Sequence, residues 1–145
     1  MASSERRLLL DVNALVALAW PNHQFHRAVL ARLERRPAPR WATCALTQLG
    51  FVRLSSNRAV VGVKRTPSQT LDLLSDLVSD GRHSYLESLP ALPEVAAHFR
   101  RLLGHQQVTD AYLLAIAARN DAVLLTLDRR LVPGGKDTSV ETITP

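Results

Sequence analysis

The chain reads as an α/β domain in three layers, a mainly parallel central sheet with helices on both faces, and two observations carry that reading. Leu8-Leu9-Leu10 and Ala122-Val123-Leu124-Leu125-Thr126-Leu127 are apolar runs with the composition of strands buried on both faces. Between them, segments with helical apolar spacing alternate with short extended ones, the pattern of a parallel sheet built from strand–helix units. The 145 residues suit a single domain over 1–145 with one continuous fold.

Taken in order, the first strand covers Leu8 to Leu10, and Asn13 is positioned to cap a helix over 14–20 that Pro21-Asn22 closes. A second helix over 24–35 puts Phe25, Val29, Leu30 and Leu33 on one face, and Pro37 and Pro39 end it. A weak strand follows over 40–43, then a helix over 45–54. Residues 56–66 are basic and carry Gly62, which reads as a loop. Pro67 opens a helix to 78 with Leu71, Leu74 and Leu77 inward, stopped by Asp80-Gly81. A strand over 83–86, a helix from Pro93 to 103 and a strong helix over 109–119 come next. Asn120-Asp121 turns the chain into the clearest strand, and Pro133-Gly134-Gly135 separates it from an edge strand over 139–143.

The bulk chemistry excludes several classes. A lone cysteine, Cys44, rules out an intramolecular disulfide scaffold and thiolate-built zinc sites. Arg6-Arg7 followed by an apolar run superficially resembles a secretory leader, but Asp11 and Asn13 interrupt it. An aspartate inside a membrane helix costs roughly 2.5–3.5 kcal/mol. The expected location is therefore the cytoplasm, with no membrane anchorage. The net charge is +5, and its distribution says more than its sum: no acid occurs between Arg35 and Leu71. Within that block Arg53, Arg58, Lys64 and Arg65 are the expected contacts to a polyanion, RNA above all. Trp20 and Trp41 are expected as core or interface residues rather than as platforms for bases, and His105 as a loop residue.

Two apolar strands end in an acid, Asp11 and Asp128, and ligands of open parallel sheets sit beyond the carboxyl ends of strands. Asp110, in the first turn of a helix beginning near that edge, is a third. Three converging carboxylates repel unless a cation neutralises them, and oxygen-only ligation suits Mg²⁺ or Mn²⁺. A metal there can activate water and polarise a phosphodiester.

Leu8-Leu9-Leu10-Asp11-Val12-Asn13-Ala14-Leu15, Val108-Thr109-Asp110-Ala111-Tyr112-Leu113-Leu114-Ala115 and Thr126-Leu127-Asp128-Arg129-Arg130-Leu131, in that order, resemble the PIN-domain family. Thr47-Gln48-Leu49-Gly50-Phe51-Val52-Arg53 narrows the likeness to the VapC-type toxins of bacterial toxin–antitoxin pairs. The resemblance implies metal-dependent endoribonuclease activity, with Asp11, Asp110 and Asp128 as the catalytic, metal-proximal acids. It implies Asn13, Thr109 and Thr126 as supporting polar groups, inhibition by a cognate VapB-like antitoxin, and a homodimer. Family members commonly carry glutamate where this chain has Gln48, whose uncharged amide should weaken metal affinity unless Glu87 or Glu94 substitutes in space. The alternative is a PIN fold that binds RNA or antitoxin with weakened catalysis. A haloacid-dehalogenase-like phosphatase or a receiver domain would need a late lysine, and Lys64 and Lys136 are not placed for it.

Overall fold

The computed structural model describes residues 6–100, 102, 104–131 and 139–144. Its elements run β1 (Arg7–Leu10), α1 (Val12–Ala19), α2 (His26–Glu34), β2 (Trp41–Cys44), α3 (Ala45–Ser55), α4 (Arg58–Val61), α5 (Pro67–Leu77) and β3 (His83–Leu86). Two 3₁₀ segments follow, Leu92–Phe99 and His105–Gln107, then α6 (Val108–Arg119), β4 (Ala122–Thr126) and β5 (Val140–Thr142). The strands form one sheet in the order β3-β2-β1-β4-β5, and every neighbouring pair is parallel.

β1 sits at the centre because both its faces are apolar. Leu8 and Leu10 point to one layer with Trp41 and Leu125, where α1, α2, α3 and α5 contribute Leu15, Val29, Phe51 and Leu74. Leu9 points the other way, with Ala42, Cys44, Leu86 and Leu124, against Leu113, Ile116 and Ala117 of α6. The period-2 alternation of strand side chains thus assigns each leucine to its layer, and three layers result. Burying one such leucine contributes roughly 1.5–3 kcal/mol.

One close approach ties the first helix to the third. A Cβ on Gly50 would lie 2.6 Å from Cγ2 of Val12, so α3 reaches the first turn of α1 only because position 50 lacks a side chain. At the far end of the same pair, the Trp20 indole donates to Ser55 Oγ at 2.9 Å. Arg32 and Glu141 join α2 to β5 through Nε–Oε2 at 2.5 Å and Nη2–Oε1 at 3.1 Å.

Four expectations need correction. Leu71, expected inward on α5, is exposed, and the buried positions of that helix are Thr70 and Leu74. α1 begins at Val12, not residue 14, because Asp11 rather than Asn13 is its cap. Residues 56–66 contain the short helix α4, capped by Asn57 and closed by Gly62 at φ 81°. The segment over 92–99 is 3₁₀, with Val95 off helical geometry at φ −120° and ψ 25°, rather than a regular α-helix. The Pro133-Gly134-Gly135 turn lies outside the described residues. Among them, no helix is long and apolar enough to cross a membrane.

Candidate active site

The strand order reverses direction of growth on either side of β1: β2 and β3 lie to one side, β4 and β5 to the other. Such a switch point opens a crevice above the carboxyl ends of the two adjacent strands, here β1 and β4. Asp11 follows β1 directly, and its backbone N–H donates to Leu125 O of β4 at 2.9 Å. Its carboxylate is almost fully buried, 6% exposed, and both oxygens have donors. Oδ1 accepts from Val12 N at 2.7 Å, and Oδ2 accepts from the Thr126 hydroxyl at 2.7 Å.

Thr126 is the hub of this edge. Besides donating to Asp11, its Oγ1 accepts from Asn13 Nδ2 at 3.4 Å and from Asp128 N at 3.1 Å. Asn13 completes a loop between α1 and β4 by accepting from Leu127 N through Oδ1 at 3.2 Å. A buried hydroxyl and one amide therefore register the two acid-bearing segments against each other, with their polar capacity used.

Asp128 lies at the rim. Its Oδ1 accepts from Arg130 N at 2.9 Å and Arg130 Nε at 3.1 Å, and its Oδ2 accepts from Arg130 Nη2 at 3.2 Å. Asp110, in the first turn of α6, shares a cleft of about 390 Å³ with Asp128, Arg130, His105, Gln107 and Leu131.

The electrostatics link the three acids. Burial, then the nearby carboxylates of Asp11 and Asp128, push the Asp110 carboxyl up to about 6. Burial also raises Asp11, opposed by its bonds from Thr126 and Val12 and assisted by Asp128. Asp128 goes the other way, held down by hydrogen bonds from Arg130. The cluster is short of positive charge: Arg130 pairs with Asp128 directly and lowers Asp110 less than burial and the two neighbouring carboxylates raise it. Among the described residues, no three His, Cys, Asp or Glu side chains are already gathered closely enough to hold a metal ion.

With this edge described, the sequence comparisons decide the family. Residues 8–132 match the PIN domain, a span that takes in all three aspartates. The chain belongs to the PIN-domain family. Its relatives are of the VapC type. It is 36% identical to Ribonuclease VapC39 of Mycobacterium tuberculosis over 136 residues, covering 93% of this chain and 98% of that protein. It is 39% identical to Ribonuclease VapC38 of the same organism over 120 residues, 83% and 84% of the two chains. With Ribonuclease VapC44 it shares 34% over 147 residues, 94% and 99%.

Not every residue expected at a PIN site meets at this edge. Asp11, Asn13, Thr126 and Asp128 form one hydrogen-bonded group, and Asp110 faces it across the cleft. Thr109 is exposed and makes no side-chain hydrogen bond among the described residues. Gln48 donates through Nε2 to Thr43 Oγ1 at 3.0 Å, and that hydroxyl also meets His83 Nε2 at 2.8 Å. Glu94 is no substitute for a glutamate at position 48: it pairs with Arg119 at the end of α6 remote from Asp110, 3.6 Å away. Arg53, Arg58, Lys64 and Arg65 are all exposed, but Arg65 shares a cleft with Ala19, Trp20 and Leu73 at the C-terminal end of α1. Asp11 caps the opposite end, about 12 Å away along an eight-residue helix.

The residue that sequence reasoning passed over is Arg130. Its signal was available in the Asp-Arg-Arg tripeptide, since a cation two residues beyond an acid at a turn can fold back onto it. Trp41 is buried as expected, its indole donating to Asp80 Oδ2 at 3.2 Å.

Proposed function

We propose that this PIN domain is a metal-dependent endoribonuclease, the toxin of a type II toxin–antitoxin pair, acting in the cytoplasm with Mg²⁺ or Mn²⁺ held by Asp11, Asp110 and Asp128. The observation that carries the proposal is the placement of Asp11 and Asp128, joined through Thr126 at the switch point of a parallel sheet, with Asp110 sharing the cleft of Asp128 and raised by both acids. Such a site is incomplete without a cation, and hard oxygen donors select Mg²⁺ or Mn²⁺ over softer metals. When bound, the metal supplies a water activated for attack and neutralises charge on the phosphodiester.

The chain's own residues prepare the site. Asp11 is held in one orientation by Val12 N–H and Thr126, leaving its remaining lone pairs for a cation. Asn13 and Thr126 fix the separation of β4 from α1, so Asp11 and Asp128 approach from defined directions. The exposed Arg53, Arg58, Lys64 and Arg65 would meet flanking RNA phosphates, away from the reacting bond. Supporting the substrate class, VapC39, VapC38 and VapC44 are all named ribonucleases. A VapB-like antitoxin and a second copy of the chain are the proposed protein partners. Leu49 and Leu71, 68% and 53% exposed on α3 and α5, offer apolar surface to them.

The test is incubation of purified total RNA with the protein in Mg²⁺, Mn²⁺ or EDTA, beside Asp11→Asn. Asparagine keeps the acceptor for Val12 N–H, so the variant should fold. Discrete fragments that require both metal and Asp11 support the nuclease. The alternative, an RNA- or antitoxin-binding module, is favoured by one fact: Gln48 brings no charge to the site and spends its amide on Thr43. Folded protein that binds RNA but never cleaves it would establish that alternative.

A further inference from the structure

We propose that Arg130 is a stand-in for the missing positive charge: its guanidinium occupies Asp128 until a divalent ion displaces it, and then turns to the RNA phosphate. This inference rests on the metal-dependent reading above. Three features of the pair support it.

First, the contact uses both oxygens of the carboxylate. Nε meets Oδ1 at 3.1 Å and Nη2 meets Oδ2 at 3.2 Å, the two-pronged geometry that guanidinium makes with carboxylates and phosphates alike. Both oxygens of Asp128 are thereby engaged by a guanidinium that a cation would have to displace. Second, little holds Arg130 in place. Its side chain is 83% exposed, against 10% for Arg32 in the Arg32–Glu141 bridge. An exposed pair of this kind is weakly bound, and a divalent ion attracted by three carboxylates would outcompete it. Third, Arg130 lines the same cleft as Asp110 and Asp128, so a guanidinium released from Asp128 remains in the space where a phosphate would lie. The competing explanation is purely local, because the Arg130 backbone N–H also bonds Asp128 Oδ1 and Leu131 N bonds Asp128 O. That turn needs no guanidinium, and Arg130→Ala leaves it intact.

The experiment measures Mn²⁺ affinity of the isolated chain by electron paramagnetic resonance of the free ion, for wild type, Arg130→Ala, Arg130→Lys and Asp110→Asn. Arg130→Ala should bind Mn²⁺ roughly two- to tenfold tighter, with Lys intermediate because it keeps charge but loses the fork. The same Arg130→Ala protein should reach half-maximal RNA cleavage at lower Mg²⁺ while its maximal rate falls. A residue serving only the turn would not move those two quantities in opposite directions. In wild type, the Arg130 Nε–H resonance should shift on Mg²⁺ addition as it leaves Asp128. Unchanged or weaker Mn²⁺ binding by Arg130→Ala, with Asp110→Asn still losing the ion, overturns the stand-in role and leaves the metal site standing. A wild-type chain that binds no Mn²⁺ overturns both.

Discussion

Replacing Asp110 with asparagine should stabilise the metal-free protein while abolishing its activity. In the fold, Asp110 ionises against burial and against the carboxylates of Asp11 and Asp128, which push it from 3.8 up to about 6. For a carboxyl group raised in the folded state, ionisation costs more in the fold than in the unfolded chain. The penalty is absent at low pH, grows as pH rises from the unfolded value to the folded one, and is complete above it. That rise corresponds to about 3 kcal/mol at face value. Asp110 is only half-buried, and solvent screening cuts this to about 1 kcal/mol. For a domain of this size that is a rise of about 2–4 °C in melting temperature. The assay is thermal unfolding in EDTA, for wild type and Asp110→Asn, between about pH 4 and pH 8. The variant should melt higher at the alkaline end, with the difference shrinking towards the acid end as wild-type Asp110 protonates. Adding Mg²⁺ should reverse the ranking, because wild type gains binding energy that the variant lacks. If Asp110→Asn melts lower at pH 8 without metal, the three acids are not an uncompensated cluster, and the argument for a cation falls with them.

Gly50→Ala should destabilise the fold by about 1–2 kcal/mol, since the new methyl would sit 2.6 Å from Val12 Cγ2 and only part is recovered through helix propensity. Chemical denaturation measures it, and Val12→Ala in the same chain should relieve the loss; an unaffected Gly50→Ala would show that α1 and α3 can part without cost. Thr126→Val keeps the shape but strips a donor from Asp11 and an acceptor from Asn13 and Asp128 N, costing about 1–3 kcal/mol. Thr126→Ser should recover most of it, and a smaller loss for Val than for Ser would point to packing instead. Arg58→Glu with Lys64→Glu should weaken single-stranded RNA binding and lower its salt slope by about 0.7 for each RNA phosphate that is no longer neutralised. Filter binding across a salt series reads this directly, and an unchanged slope would place the RNA elsewhere.

The centre of the sheet was legible because β1 and β4 are short and apolar. Leu8-Leu9-Leu10 and the run from Ala122 could be nothing but interior strands once three layers were inferred, and the aspartates after them then had to emerge at one edge. What escaped the sequence was the competition for donors at that edge. Asp11 and Asn13 are both good caps, and periodicity alone does not say which will be used. The geometry assigns the cap to Asp11 because β1 ends at Leu10 and turns at once, freeing Asn13 to bridge to Leu127 and Thr126. α4 was missed because four residues do not establish a helical period, although Asn57 and Gly62 mark its ends. The basic stretch was legible as charge but not as a position, because charge along a sequence carries no direction. In space it follows α3 and α4 towards the far end of α1.

The site divides its acids by mobility. Asp11 is buried, with one oxygen bonded to a helix terminus and the other to a buried hydroxyl, so reorienting it would break both bonds. Asp128 is held only by its own turn and by an exposed arginine. Asp110 is lowered by that same arginine less than burial and the two aspartates raise it. A cation arriving at this edge would therefore meet one fixed ligand, one destabilised ligand ready to ionise fully against it, and one that must first exchange partners. On the proposed metal-dependent reading, that asymmetry would put the control of metal affinity on Arg130, at the surface, rather than on the buried acid that the sequence marks most clearly.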